Sequence, residues 1–130
     1  MSTTSVKELV RQANEVVEVL GAKDALEAHG NDGAVLVDIR DIRELQRDGT
    51  VADSHHVPRG MAEFWFDPAS PYHKEWLADG STKYMLYCAS GWRSALTAKA
   101  LVDMGFDNIA HVDGGFGALK EAGAAIVEKD

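Results

Sequence analysis

Cysteine is nearly absent from this chain: Cys88 is the single one among 130 residues. One thiol excludes an internal disulfide, a paired-cysteine redox motif and any metal site built from several thiolates. It suits a reducing compartment, where unpaired thiols persist. Basic residues are also scarce, 13 Lys and Arg against 21 Asp and Glu, for a net charge of -8. That sign opposes binding to nucleic acid or to an anionic membrane surface. No apolar run approaches the roughly 20 residues of a membrane-spanning helix. The stretch Met1 to Val10 has no apolar segment behind a basic patch. A secretory leader is therefore not expected, and the chain reads as cytoplasmic. Internal repeats and low-complexity segments are lacking too.

What is present fits one ordinary globular domain: 45% hydrophobic and 26% charged residues in a chain of this length. Residues 1–15 read as an N-terminal helical extension, with Ser5 as cap and Glu8 as its capping-box partner, and residues 16–130 as the single domain. Val16 to Leu20 reads as a short strand, and Ala22 to His29 as a helix closed by Gly30. Ala34 to Val37 is an apolar run entering Asp38, the pattern of a strand buried on both faces. Asp41 to Arg47 reads as a helix with Ile42 and Leu45 inward. Val51 to Gly60 reads as loop, Met61 to Phe66 as a strand, and Ser70 or Pro71 as the start of a short helix through Leu77. Lys83 to Tyr87 is a second buried strand ending at Cys88. Ser94 to Met104 is an amphipathic helix with Leu96, Ala100, Leu101 and Met104 on one face. Asn108 to Val112 is a third strand, Gly114-Gly115 a turn, and Phe116 to Ala122 a last helix. Alternation at this spacing implies an α/β fold, a mostly parallel sheet with helices on both faces. Ligands of such sheets bind beyond the carboxyl ends of the strands, where Cys88 lies.

The segment Cys88-Ala89-Ser90-Gly91-Trp92-Arg93-Ser94 joins a buried strand to a long helix. A loop curled round its own centre directs successive backbone N–H groups inward as an anion-binding nest. The following helix adds the positive end of its dipole. Small residues at Ala89, Ser90 and Gly91 permit the curl. A thiol at the mouth of such a nest ionises more readily, and the same donors suit a negatively charged persulfide. Arg93, the one cation of the loop, is placed to hold an oxyanion.

Cys88-Ala89-Ser90-Gly91-Trp92-Arg93 resembles the active-site loop of the rhodanese family, C-x-x-G-x-R. Other marks follow in order: Asp38-Ile39-Arg40 resembles a strand-end D-x-R, and His56-Val57-Pro58 resembles an H-I-P segment. Gly105-Phe106 with Val112-Asp113-Gly114-Gly115 resembles the closing pattern, so the likeness runs from about Val16 to Gly123. It implies a rhodanese-like fold and a sulfurtransferase whose Cys88 takes sulfur from a donor such as thiosulfate and yields it to a thiol or cyanide. It further implies binding of substrate and persulfide by Ala89, Ser90, Gly91, Trp92, Arg93 and Ser94, with Asp38 and Arg40 in support. No metal or organic cofactor is expected. Partners are a small sulfur donor and its acceptor, with a protein donor or acceptor as the alternative, and neither nucleic acid nor membrane.

Several residues depart from that pattern. Arg59-Gly60 replaces a Gly-Ala pair and brings a further cation, Ala89 stands where the family is frequently basic or polar, and Leu119 replaces an aromatic. Phe64 to Leu77 is read as a flap over the site. Trp92 either lines the pocket rim or packs on neighbouring helices. Asp38 and Arg40 are read as a structural pair, and Trp65 and Trp76 as core or rim packing. His55 and His56, adjacent in an extended segment, point in opposite directions and are not read as a metal pair. His73 and His111 are read as structural or surface residues. Two rivals stand beside sulfur transfer: a phosphatase or arsenate reductase on the same fold, and a sensory or partner-dependent module. The first needs arginine six residues after the cysteine, where this chain has Ser94.

Overall fold

The computed structural model describes residues 2–31 and 33–129. Helix α1 (Val6–Val16) opens on Ser5, whose side chain accepts from the Glu8 N–H. Strand β1 (Glu18–Leu20) and helix α2 (Ala22–Ala28) precede β2 (Ala34–Asp38). Helix α3 (Ile42–Asp48) starts at a capping box, Asp41 with Glu44. The segment expected as loop holds β3 (Thr50–Val51) and β4 (His55–His56). Then come a 3-10 turn at Arg59–Met61, helix α4 (Ala62–Phe66), a second 3-10 turn at Glu75–Leu77, and β5 (Lys83–Tyr87). Helix α5 (Trp92–Asp103), β6 (Ile109–Val112), α6 (Gly115–Glu121) and β7 (Ile126–Val127) complete the chain.

Five strands form one sheet in the order β1-β6-β5-β2-β4, and every neighbouring pair is parallel. Short β3 pairs antiparallel with β7 beside it. The strand period divides the core between the two faces. Leu86 and Cys88 of β5 and its exit pack with Val37, Ala98 and Leu101 on the α4–α5 side. Met85 and Tyr87 pack with Leu36, Ala25 and Leu119 on the α2–α6 side. Leu119 is fully buried there.

Four readings are corrected. Met61 to Phe66 is helical rather than extended, because Ala62 and Phe66, four apart, both turn into the core. The expected helix through Leu77 reduces to the single turn at Glu75–Leu77. The buried face of α5 is Ala95, Ala98 and Leu101, while Met104 is 44% exposed. Ala95 lies under α1, where Val10 and Ala13 meet it and Leu96, while Ala98 and Leu101 pack toward the sheet and α4. Ile42, expected inward, is 37% exposed, and Leu45 is the buried apolar residue of α3. Among the described residues no helix is long and apolar enough to cross a membrane.

Candidate active site

Cys88 follows the last residue of β5, at the carboxyl edge of the parallel sheet. Helix α5 begins at Trp92, two residues earlier than its apolar pattern suggested, so Ser94 lies in the first turn. First-turn N–H groups have no partner within the helix and are free to point outward. The Ser94 N–H donates to Cys88 Sγ at 3.4 Å and the Gly91 N–H at 3.1 Å. Gly91 takes a φ of 109°, the left-handed region that glycine alone enters freely. The start of α6 braces the loop from behind. The Phe116 N–H donates to the Cys88 carbonyl at 2.7 Å. Gly115, at φ 59°, sits so close that a Cβ there would lie 2.8 Å from the Ala89 carbonyl oxygen.

Cys88 is 1% exposed. Burial pushes its thiol up, but the Ser94 hydroxyl and the N–H groups of Ser94, Gly91 and Ser90 outweigh this and hold it below the ordinary thiol range. The Ser94 hydroxyl lies 3.6 Å from Sγ and 3.0 Å from His111 Nδ1. His111 in turn meets Asn14 of α1, with Nε2 to Oδ1 at 2.7 Å.

The one loop cation does not stand free. Arg93 donates twice to Glu44 of α3, at 2.7 and 3.0 Å. Each group holds the other in its charged form: the Arg93 guanidinium keeps the Glu44 carboxyl below its usual range. Arg59 is likewise paired, with Glu63 at 2.8 Å. Trp92 is 48% exposed, on the surface rather than packed between helices.

Asp38 and Arg40 form the pair expected of them. Both are buried, and Arg40 donates through Nε and Nη2 to the two carboxylate oxygens at 3.0 and 2.9 Å. Thr50 donates to Asp38 at 2.8 Å and also meets the Tyr87 hydroxyl at 2.9 Å. The Arg40 guanidinium lies 4.1 Å above the Phe116 ring, tying this cluster to the helix that braces the loop. His56 donates through Nε2 to the Arg40 carbonyl at 2.8 Å, while the His55 ring lies against Trp76 at 4.8 Å. The two rings thus serve different neighbours. Among the described residues no cluster of three or more His, Cys, Asp or Glu could hold a metal ion.

A model of the rhodanese-like domain matches residues 21–122. The chain belongs to the rhodanese-like domain family. A solved protein of unknown function from Rhodopseudomonas palustris CGA009, described as a possible tyrosine phosphatase, is 45% identical, with a TM-score of 0.91 over 98% of this chain and 97% of that one. A rhodanese-related protein from Thermoplasma volcanium is 27% identical, with a TM-score of 0.68 over 86% of this chain and 99% of its own. A thiosulfate sulfurtransferase from Pseudomonas aeruginosa is 26% identical, with a TM-score of 0.71 over 94% of this chain and 22% of that longer one. A comparison with curated proteins finds no match.

Within this rhodanese-like domain, reading by residue type left Glu44 and Asn14 unassigned and took His111 as structural or surface, whereas the structure joins all three to the loop by hydrogen bonds. The spacing from Asp41 to Glu44 was a signal for Glu44, since a capping box fixes that carboxylate at the start of α3. Nothing local marks His111, whose partners lie 17 and 97 residues away. The flap reading is corrected in part: Trp76 lines a cavity of about 290 Å³ with Ala34, Val35 and Tyr84, at the amino ends of β2 and β5 and so at the far edge from Cys88.

Proposed function

We propose that this rhodanese-like domain transfers sulfane sulfur, from a donor such as thiosulfate to a thiophilic acceptor, through a persulfide on Cys88. The observation that carries the reading is the closed loop, whose N–H groups at Gly91 and Ser94 converge on one sulfur atom. The Cys88 thiolate attacks the outer sulfur of thiosulfate, and sulfite leaves with the electron pair of the broken S–S bond. The persulfide anion takes up the negative charge, which the same donors stabilise. An acceptor thiolate or cyanide then attacks the outer sulfur, and Cys88 departs as thiolate.

The pairing of Arg93 with Glu44 and of Arg59 with Glu63 favours a second reading of the donor. With both cations neutralised, little positive charge meets a doubly charged ion, which suits a persulfide delivered by a protein partner. The phosphatase description of the Rhodopseudomonas protein finds less support in this site, because the loop arginine is shared with Glu44 and Ser94 holds the position where a phosphate-binding arginine would lie.

Three assays on one preparation separate these readings. Thiocyanate formed steadily from thiosulfate and cyanide supports the small-donor enzyme. Sulfur accepted only from a persulfidated protein supports the partner-dependent carrier. Hydrolysis of an aryl phosphate without either would overturn sulfur transfer.

A further inference from the structure

Four polar groups form an unbroken line from the reactive sulfur to the protein's first helix: Cys88 Sγ, Ser94 Oγ, the His111 ring and Asn14 Oδ1, at 3.6, 3.0 and 2.7 Å. Ser94 and His111 are buried, at 0% and 1% exposure. The chemistry of the line has a direction. Asn14 Oδ1 only accepts, so His111 Nε2 carries the proton and donates to it. Nδ1 is then bare, so the Ser94 hydroxyl donates to the ring, and its oxygen is left to accept from the thiol.

We propose that His111 is a positioning residue that draws the Cys88 proton away through the Ser94 hydroxyl, with Asn14 fixing its tautomer, so that helix α1 is part of the active site. The inference rests on the sulfur-transfer reading for its use, but concerns only how the thiolate forms. As the thiol proton passes to Ser94 Oγ, the Ser94 proton passes to His111 Nδ1. The products are a thiolate, a hydroxyl now donating to that thiolate, and an imidazolium donating through both nitrogens. No proton is gained or lost. Burial holds the His111 ring below the usual imidazole range, with Asp113 just beyond β6 only partly opposing it. The thiolate compensates the ring's charge only two hydrogen bonds away. From α5, Arg93 also faces the sulfur, but it is shared with Glu44 of α3. From α1 and β1, Glu15 and Glu18 are turned to Arg11 and Lys83.

Asn14 is exposed, so its substitution leaves the core intact. The test is the pH profile of Cys88 alkylation by iodoacetamide, whose rate follows the thiolate fraction. Asn14→Asp sets a carboxylate against Nε2–H and is expected to raise the rate on the acid side of the profile about threefold to tenfold. Asn14→Leu removes the acceptor and is expected to shift the profile the other way. Opposite shifts support the relay. Coincident profiles, or shifts of one sign in both variants, overturn it. Nitrogen-15 spectra of wild-type His111 at neutral pH give a second reading: a proton on Nε2 is expected, and a proton resident on Nδ1 with Nε2 bare contradicts the proposal. Sulfur uptake by the wild type is scored separately, so a failed relay and a failed sulfur-transfer reading remain distinguishable.

Discussion

Two buried polar clusters lie at the same edge of the sheet and are built to opposite ends. In the first, Asp38, Arg40, Thr50, Ser54 and Tyr87 satisfy one another and the Gly49 carbonyl. In the second, the loop N–H groups and Ser94 converge on Cys88 Sγ, a weak hydrogen-bonding atom and a strong nucleophile. The first cluster spends its polarity on itself and fixes the ends of β2 and β5. The second leaves donors aimed at a charge that exists only once the thiol ionises. A closed network holds a site in place, whereas an under-used set of donors is left to stabilise a charge that forms there.

The sharpest break in this contrast is Arg40→Ala. It strands the buried Asp38 carboxylate, and chemical denaturation is expected to show a loss of about 3–5 kcal/mol. Tyr87→Phe should cost less, about 1–3 kcal/mol by the same measurement, because Val51 loses the acceptor of its N–H at 3.2 Å. The Tyr87 hydroxyl is pushed up to about 12, by burial first and by Asp38 second, so it stays protonated throughout the neutral range. Neither variant changes the donors around Sγ. Loop chemistry in the folded fraction should therefore survive, and an alkylation profile moved by Tyr87→Phe would erase the distinction between the clusters.

Glu44→Gln has the smallest expected effect and acts on the other cluster. It frees Arg93, and steady-state kinetics should show KM for thiosulfate falling about two- to fivefold, in line with the modest strength of a partly exposed ion pair. The same variant changes the acid limb of stability. Glu44 is held below its usual range in the folded state, so its contribution is present above the unfolded carboxylate range and is lost as pH falls through the folded value. Denaturation curves across that acid range should be flatter for Glu44→Gln than for the wild type. Parallel curves would mean that the pair is absent in solution.

Much of this arrangement was legible in residue order. β2 and β5 are continuous apolar runs, and the loop between β5 and α5 carries its small residues and glycine where a nest requires them. Asp38 and Arg40 are two apart at a strand end and pair as their charges suggest. The errors share a physical cause. Leu96 and Met104 outweigh Ala95 and Ala98 on any hydrophobicity scale, yet Ala95 is buried under α1 and Ala98 under the sheet and α4, contacts that only the tertiary structure sets. Met61 to Phe66 lacks a clean strand alternation, and its helical pair Ala62 and Phe66 is too short a pattern to outweigh aromatic content. β7 is two residues long and exists only through pairing with β3. His111 and Asn14 acquire meaning only when tertiary structure joins them, which no local spacing records.

The central claim, that Cys88 carries sulfur, is tested most directly by intact mass of the reduced protein after exposure to thiosulfate and, separately, to a persulfidated protein, with Cys88→Ser as control. The expected result is a gain of one sulfur atom on the wild type with at least one donor, reversed by a thiol, and no gain on the variant. An unchanged wild-type mass with both donors, or an equal gain on Cys88→Ser, would contradict it.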